Sequence, residues 1–177
     1  VLSSFEEFIG SDLSGTQVIR EDDIVEKQIV NGVTYARNEA KVTLLSVADK
    51  PGIAASIFAP LGDAGVNVDM IIQNISADGK TTDVTFTIPR GDAARAQSVL
   101  ETLPDLKGVE IRIATDITKI SVIGIGMSSH TGVAKTMFTT LAERGINIHA
   151  ITTSEIKISV LISEEYTELA VRALHTA

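Results

Sequence analysis

Two parts of the chain repeat one pattern of apolar and polar positions. Residues 41–47 and 119–125 are short runs rich in β-branched side chains, which favours strands buried on at least one face. After a loop, each run is followed by apolar residues three or four positions apart, which predicts an amphipathic helix. These apolar positions are Ile53, Ile57, Phe58 and Leu61 in the first copy and Val133, Met137, Phe138 and Leu141 in the second.

The elements that follow predict the fold class. Gly65 and Gly145 stand where a glycine commonly ends a helix. The resulting order, β-α-β-β-α-β, is the ferredoxin-like pattern, so we predict an α+β fold built from two such domains. In the first copy the later elements are predicted strands at 66–75, 82–88 and 109–114 and a helix at 93–103.

The second copy is one strand short. It has predicted strands at 119–125, 146–152 and 157–162 and a helix at 165–176, after which the sequence ends. The only unassigned strand-like run is 29–36, ahead of the first copy, and an uncovered sheet edge is unfavourable. We therefore predict that this N-terminal strand crosses over to complete the second domain, which makes the two domains interleaved.

Composition and charge exclude several classes of function. The 177 residues carry 15 Lys and Arg against 23 Asp and Glu, a formal net charge of −8, which argues against a nucleic-acid partner. The sequence has no cysteine, so disulfides and thiolate metal sites are excluded. It shows no signal peptide and no membrane-spanning run, and we expect a cytoplasmic protein with no membrane partner.

The sequence contains no complete motif for catalysis or for metal binding. Gly124 and Gly126 follow a strand, but Ser129 stands where the dinucleotide-binding fingerprint needs its third glycine. His130 and His149 have no cysteine or histidine at a metal-ligand spacing. We therefore predict no catalytic residue, no metal and no cofactor in this chain.

The loop before the first predicted helix is the best candidate for ligand binding. Gly52 leaves the backbone accessible, the helix start offers unpaired N–H groups to a carboxylate, and Asp49 can receive an ammonium or hydroxyl group. An α-amino acid carries a carboxylate and an ammonium group together. The alternative is that Gly52 and Gly132 only allow a tight turn and close packing of a helix on the sheet.

Six short motifs occur in an order that is typical of one family. They are EAKVT at 39–43, DKPG at 49–52, NVDM at 67–70, QNIS at 73–76, TTDVTF at 81–86 and TSEIKISVLI at 153–162. In these motifs, residues 26–174 closely resemble the regulatory region of aspartate kinase, with its tandem ACT domains. The resemblance implies that 1–25 is the end of a kinase portion or a linker, 26–39 the strand completing the second ACT domain, 40–116 the first ACT domain and 117–177 the second.

The resemblance also implies an activity for a larger protein. Aspartate kinase transfers the γ-phosphate of ATP to the β-carboxylate of aspartate, the first step toward lysine, threonine and methionine. Its catalytic domain, which uses ATP and Mg, would precede residue 1, so this chain alone would be non-catalytic. The ACT pair implies feedback inhibition by lysine, threonine or both, in a homodimer attached to the kinase domain or catalytic subunit.

Two effector pockets between chains follow from the resemblance, because the family places effectors between the first ACT domain of one chain and the second of another. The pocket that we assign to threonine comprises Asp49, Gly52, Ala54 and Gln73, completed by the partner's Asn147 and Ile148. The pocket that we assign to lysine comprises Asn67, Val68 and Asp69, facing Ser129, His130, Gly132 and Val133.

One difference between the copies predicts different ligands for the two pockets. Asp69 would suit a cationic side chain, and His149 replaces it at the corresponding position of the second copy. Three alternatives stay open: Asn67 and Asn147 only cap turns, the chain is a purely structural dimerisation module, or the ACT pair serves another amino-acid-regulated enzyme.

Overall fold

The computed structural model describes residues 30–76, 79–124 and 132–177, and within these ranges strands and helices follow the predicted order. The strands are β1 (Gly32–Ala48), β2 (Asp69–Ile75), β3 (Thr81–Pro89), β4 (Glu110–Ile123), β5 (Ala150–Thr153) and β6 (Lys157–Ser163). The helices are α1 (Ile53–Asp63), α2 (Ala93–Thr102), α3 (Gly132–Glu143) and α4 (Thr167–Thr176), with 3-10 turns at Arg90–Asp92, Pro104–Leu106 and Glu164–Tyr166. No helix in these ranges is long and apolar enough to cross a membrane.

The strands form one antiparallel sheet in the order β2-β3-β1-β4-β6-β5. The two central strands are long because each belongs to both copies. The first part of β1, from Gly32 to Ala36, pairs with β4 from Ile123 back to Lys119, whereas its second part lies between β3 and the first part of β4. This pairing confirms that an N-terminal strand crosses over to complete the second ferredoxin-like unit; residue 29 lies outside the described residues.

The pairing of β1 with β4 has an internal twofold symmetry. Lys41 and Lys119 begin the two copies, and Ala36 faces Lys119 just as Lys41 faces Ala114. A rotation that exchanges the copies therefore exchanges these two pairs. Glu39 faces Ile117 between them and marks the centre of the pattern.

Each copy buries its own apolar core between sheet and helices. The first core joins strand residues such as Phe86 to Ile57 and Leu61 of α1, and the second joins strand residue Val160 to Met137 of α3. A smaller third cluster contains Met70, Ile117 and Leu161, with Ala114 and Ala150 packed against it. It lies where the first residues of β2 and β5 approach each other, so the two copies are also held together by packing.

Two strand boundaries were predicted too early. Strands were expected from residues 66 and 146, but β2 begins at Asp69 and β5 at Ala150. Gly65 and Gly145 follow the helix ends as predicted, and both have positive φ. After them, Val66 N donates to Leu61 O and Ile146 N to Leu141 O. These buried residues close the end of the preceding helix and are not available for strand pairing.

A third difference concerns β4. Separate strands were expected at 109–114 and 119–125, yet Glu110–Ile123 is one continuous strand. This stretch has no glycine or proline and is rich in isoleucine and threonine, so nothing in it favours a break. Residue 125 lies outside the described residues.

Candidate functional site

The loop between β1 and α1 lies at one end of the first copy, where polar contacts hold it in place. Asp49 N donates to Lys80 O at 2.9 Å, and Lys50 Nζ is 2.5 Å from Asp105 Oδ1. The helix begins after Gly52, whose carbonyl accepts from Ser56 N at 3.0 Å. Ile53 N donates to Lys50 O at 3.2 Å, and no side chain caps this helix, so the next N–H group, at Ala54, is the candidate donor to a carboxylate.

The backbone at Gly52 explains why a glycine stands there. Its φ is +89°, in the left-handed region that other residues rarely adopt. Apart from the adjacent residues, a Cβ at this position would meet none of the described atoms within 4 Å, and the same holds at Gly132, where φ is not in that region. Close packing of helix on sheet therefore explains neither glycine, whereas a tight turn does explain Gly52.

The other predicted residues of the first copy share this end of the sheet. Ala48 pairs with Thr81, and Ile75 pairs with Thr82, so the end of β2 lies beside the end of β1 with β3 between them. Gln73 is opposite the buried Val84, which places its side chain on the helix-covered side. The first-copy members of the threonine-like pocket are all exposed: Asp49, Gly52, Ala54 and Gln73.

The second-copy members of that pocket lie elsewhere in the same chain. Asn147 and Ile148 precede β5, whose start lies close to the start of β2, between the two copies. There His149 N donates to Leu161 O at 2.8 Å. From Lys41 near the centre to Ala48 at the outer end, β1 extends over seven residues, about 23 Å at the rise of a strand. One chain therefore does not bring Asn147 and Ile148 to the loop at Asp49.

The lysine-like pocket also has its members in both copies. Asn67 and Asp69 are exposed at the start of β2, and Val68 packs against the first core. Gly132 and Val133 begin α3 in the second copy. Ser129 and His130 lie outside the described residues.

Asp69 is already engaged within the chain, which the sequence did not reveal. Lys119 Nζ donates to Asp69 Oδ2 at 2.9 Å and to Glu39 Oε1 at 2.5 Å. The hydrogen bond from Lys119 holds the pKa of Asp69 below its ordinary value. Burial opposes the charge of Lys119, but its bonds to the two carboxylates outweigh that effect and raise its pKa.

The corresponding position in the second copy has the opposite electrostatics. His149 stands where Asp69 stands in the first copy, and Lys41 is the counterpart of Lys119. Burial lowers the pKa of His149, and the nearby charge of Lys41 lowers it further. The ring atom Nε2 lies 3.1 Å from Ser163 Oγ, and this contact holds the imidazole at the start of β5.

Comparison with known proteins identifies the family. Models of the ACT domain match residues 41–108 and 120–177. The regulatory subunit of aspartate kinase from Thermus thermophilus superposes with a TM-score of 0.78 and 39% sequence identity over 85% of this chain and 99% of that chain. The chain belongs to the ACT-domain regulatory region of the aspartate kinases.

Other aspartate kinases show the same relationship. A structure of aspartokinase alpha and beta subunits is 47% identical, with a TM-score of 0.76, over 83% of this chain and 97% of the matched chain. The aspartate kinase of Pseudomonas putida is 47% identical over the whole chain. The present chain spans 42% of that protein's length, so the match covers the regulatory part of an aspartate kinase.

Proposed function

We propose that this regulatory region senses threonine, lysine or both at pockets formed between the ACT domains of two chains. Binding would inhibit the phosphorylation of aspartate by ATP in the kinase portion of the same enzyme. The observation that supports the proposal is that one chain keeps the two parts of the predicted threonine-like pocket apart. The exposed loop at Asp49 needs a second chain to bring Asn147 and Ile148 to it.

The edges of the sheet supply a way for two chains to meet. Strands β2 and β5 are the outermost strands, and they expose Ile71, Ile75 and Ile151. An open strand edge with exposed apolar side chains favours pairing with another chain. In a twofold dimer, β2 of each chain would pair with β5 of its partner.

Antiparallel pairing of those edges assembles both predicted pockets. It places the start of the partner's β5, with the partner's Asn147 and Ile148, beside the end of β2 at Gln73. By the same geometry, Asn67 and Asp69 at the start of β2 come beside the end of the partner's β5. The dimer would thus contain two sites of each kind.

The first pocket fits threonine by its chemistry. The uncapped N–H groups of α1 at Ala54 suit the carboxylate, and the Asp49 carboxylate suits the ammonium group. Gln73 offers an amide to the hydroxyl, and the partner's Asn147 offers a second one. The partner's Ile148 would cover the methyl group.

The second pocket is the candidate for lysine, and Lys119 sets a condition on it. An ammonium group from lysine would have to share Asp69 with Lys119, which already binds it. The E. coli aspartokinase III structure that contains lysine and aspartate is 24% identical over 84% of this chain, which supports the common fold. We carry lysine over to this chain as a proposal.

The proposal includes the rest of the enzyme. A related structure contains aspartokinase alpha and beta subunits together, and we propose that this region likewise acts with a kinase domain or catalytic subunit that holds ATP and Mg in the cytoplasm. An effector changes activity only through its different affinity for two states. A pocket that exists only in the correctly docked dimer provides that difference, and a coupling of about 1–3 kcal/mol corresponds to roughly a 5- to 150-fold change in affinity.

Isothermal titration of the 177-residue chain with threonine, and separately with lysine, tests the proposal. We expect saturable heat in the wild type and its loss in Gln73→Ala for threonine. Gln97→Ala, an exposed glutamine on α2, is the matched control and should bind as the wild type does. A folded dimer that binds neither amino acid would contradict sensing and favour a purely structural dimerisation module, for which the exposed edge strands alone suffice.

A further inference from the structure

Strand β1 contains a β-bulge immediately before the loop at Asp49. Leu44 pairs with Val84 and Val47 pairs with Thr82, so Leu45 and Ser46 together face the single residue Asp83. Two residues opposite one define a bulge, and bulges are common where a strand must redirect a functional side chain.

Ser46 adopts an unfavourable backbone conformation in this bulge. Its φ is +56°, and within the described residues Met70 is the other non-glycine residue with positive φ. The left-handed region costs an L-amino acid about 1–2 kcal/mol, so some other interaction has to hold it. Asp83 provides that interaction, because Ser46 N donates to Asp83 Oδ1 at 2.8 Å.

The bulge decides which residues enter the core and where the loop begins. Without the extra residue, alternation from Leu44 would turn Ser46 inward; with it, Val47 is inward and fully buried. Only Ala48 separates Val47 from Asp49, whose N–H is bound to Lys80 O. A shift at Ser46 would therefore move the loop that leads to Gly52.

The corresponding residues of the second copy are different. By the correspondence of Lys41 with Lys119, Ser46 corresponds to Gly124, and Asp83 corresponds to Lys157. The side chain of Lys157 has no acceptor oxygen, so it cannot hold a backbone N–H opposite it as Asp83 does. The pair formed by Ser46 and Asp83 is therefore not repeated in the sequence of the second copy.

We propose that Asp83 is a positioning residue for the threonine-like pocket. It holds Ser46 in its left-handed conformation and thereby fixes the register of the loop from Asp49 to Gly52. Asp83 itself does not belong to the predicted pocket. The inference rests on the proposed function of that pocket.

The test is titration of threonine and lysine into four variants of the 177-residue chain, with thermal unfolding of each. In Asp83→Ala we expect threonine to bind about 5- to 10-fold more weakly, equivalent to losing one hydrogen bond of about 1 kcal/mol. Lysine affinity should be unchanged. Asp83→Asn keeps an oxygen acceptor and should bind threonine nearly as the wild type does.

The decisive variant combines Asp83→Ala with Ser46→Gly. Because glycine adopts the positive φ without support, the double variant should regain most of the threonine affinity. Asp63→Ala, which removes an exposed carboxylate at the end of α1, is the control for net charge and should bind normally.

The possible results separate the two proposals. Wild-type chain that binds no threonine would overturn the proposed pocket and this inference with it. If the wild type binds threonine and Asp83→Ala binds it equally well, the pocket stands and the positioning role is wrong. Equal weakening for lysine and threonine, or no recovery in the double variant, would show that Asp83 only supports the general fold.

Discussion

Arg90 and Glu164 occupy equivalent positions in the two copies and bind each other. Glu39 pairs with Pro89, and its counterpart Ile117 pairs with Ser163, so the next residues, Arg90 and Glu164, correspond. Arg90 Nη2 lies 2.9 Å from Glu164 Oε2. The internal symmetry therefore brings two equivalent positions together, and only unlike charges are favourable there.

Charge reversal at this contact should reveal its contribution. Arg90→Glu places two carboxylates together and should lower the free energy of unfolding by about 1 kcal/mol, because an exposed pair contributes up to that amount. Both side chains are more than a third exposed, 35% and 36%, so a larger loss is not expected. Urea unfolding measures the effect, and the exchanged double variant Arg90→Glu with Glu164→Arg should recover most of it.

Lys119 should matter more for stability than Arg90 does. Its side chain and that of Glu39 are only 16% and 13% exposed, so Lys119→Met leaves a largely buried carboxylate without its partner. We expect the free energy of unfolding, measured in urea, to fall by about 2–4 kcal/mol. Breaking a buried ion pair costs about 3–5 kcal/mol, and this pair is slightly exposed. Glu39→Met combined with Lys119→Met should recover much of this loss. If Lys119→Met is as stable as the wild type, the ion pair between Lys119 and Glu39 does not stabilise the fold.

Alanine at the two helix-start glycines should act in opposite directions. Gly52→Ala forces a Cβ into a left-handed conformation and should cost about 1 kcal/mol of unfolding free energy, with no steric clash. Gly132→Ala has no such strain and lies at the start of α3, so it should be neutral or slightly stabilising. Thermal unfolding of the two variants side by side distinguishes backbone strain from packing.

His149 should make the chain less stable in mild acid. Burial and Lys41 lower its pKa, so the unfolded chain binds a proton more readily than the folded chain below the ordinary value of 6.5. The contribution of His149 to the free energy of unfolding is therefore fully present above about pH 6.5, and it is lost as the pH falls through the lowered pKa. His149→Asn should reduce that slope in urea unfolding between pH 7 and 5, while His175→Asn in the last turn of α4 serves as the control.

The fold could be predicted from the sequence because its signals are local and repeated. Three signals together predict the topology. They are the apolar spacing in α1 and α3, the helix-ending glycines and the unassigned strand before the first copy. The starts of β2 and β5 were missed because Val66 and Ile146 are apolar for a different reason, closing a helix end. From the sequence alone, an apolar residue that closes a helix end cannot be distinguished from one that begins a strand.

The electrostatic arrangement could be predicted much less well. Lys119, Asp69 and Glu39 are far apart in the sequence and meet only through the pairing of four strands, β2, β3, β1 and β4. The bulge at Ser46 likewise depends on register with Asp83, and a serine gives no local signal of positive φ. Interactions that depend on strand register are found only in the structure, although Glu39, Asp69 and Asp83 all lie in the motifs that identify the family.

Whether the pockets are formed between chains is the central claim, and mixing two inactive variants tests it directly. Gln73→Ala and Asn147→Ala should each bind no threonine alone, because every site in either homodimer lacks one residue. After the chains are mixed under conditions that exchange subunits, half of the dimers are mixed, and one of their two sites has both residues intact. Titration should then show about one quarter of the wild-type sites, with wild-type affinity. Binding that stays absent in a verified mixed dimer would contradict a pocket shared between chains.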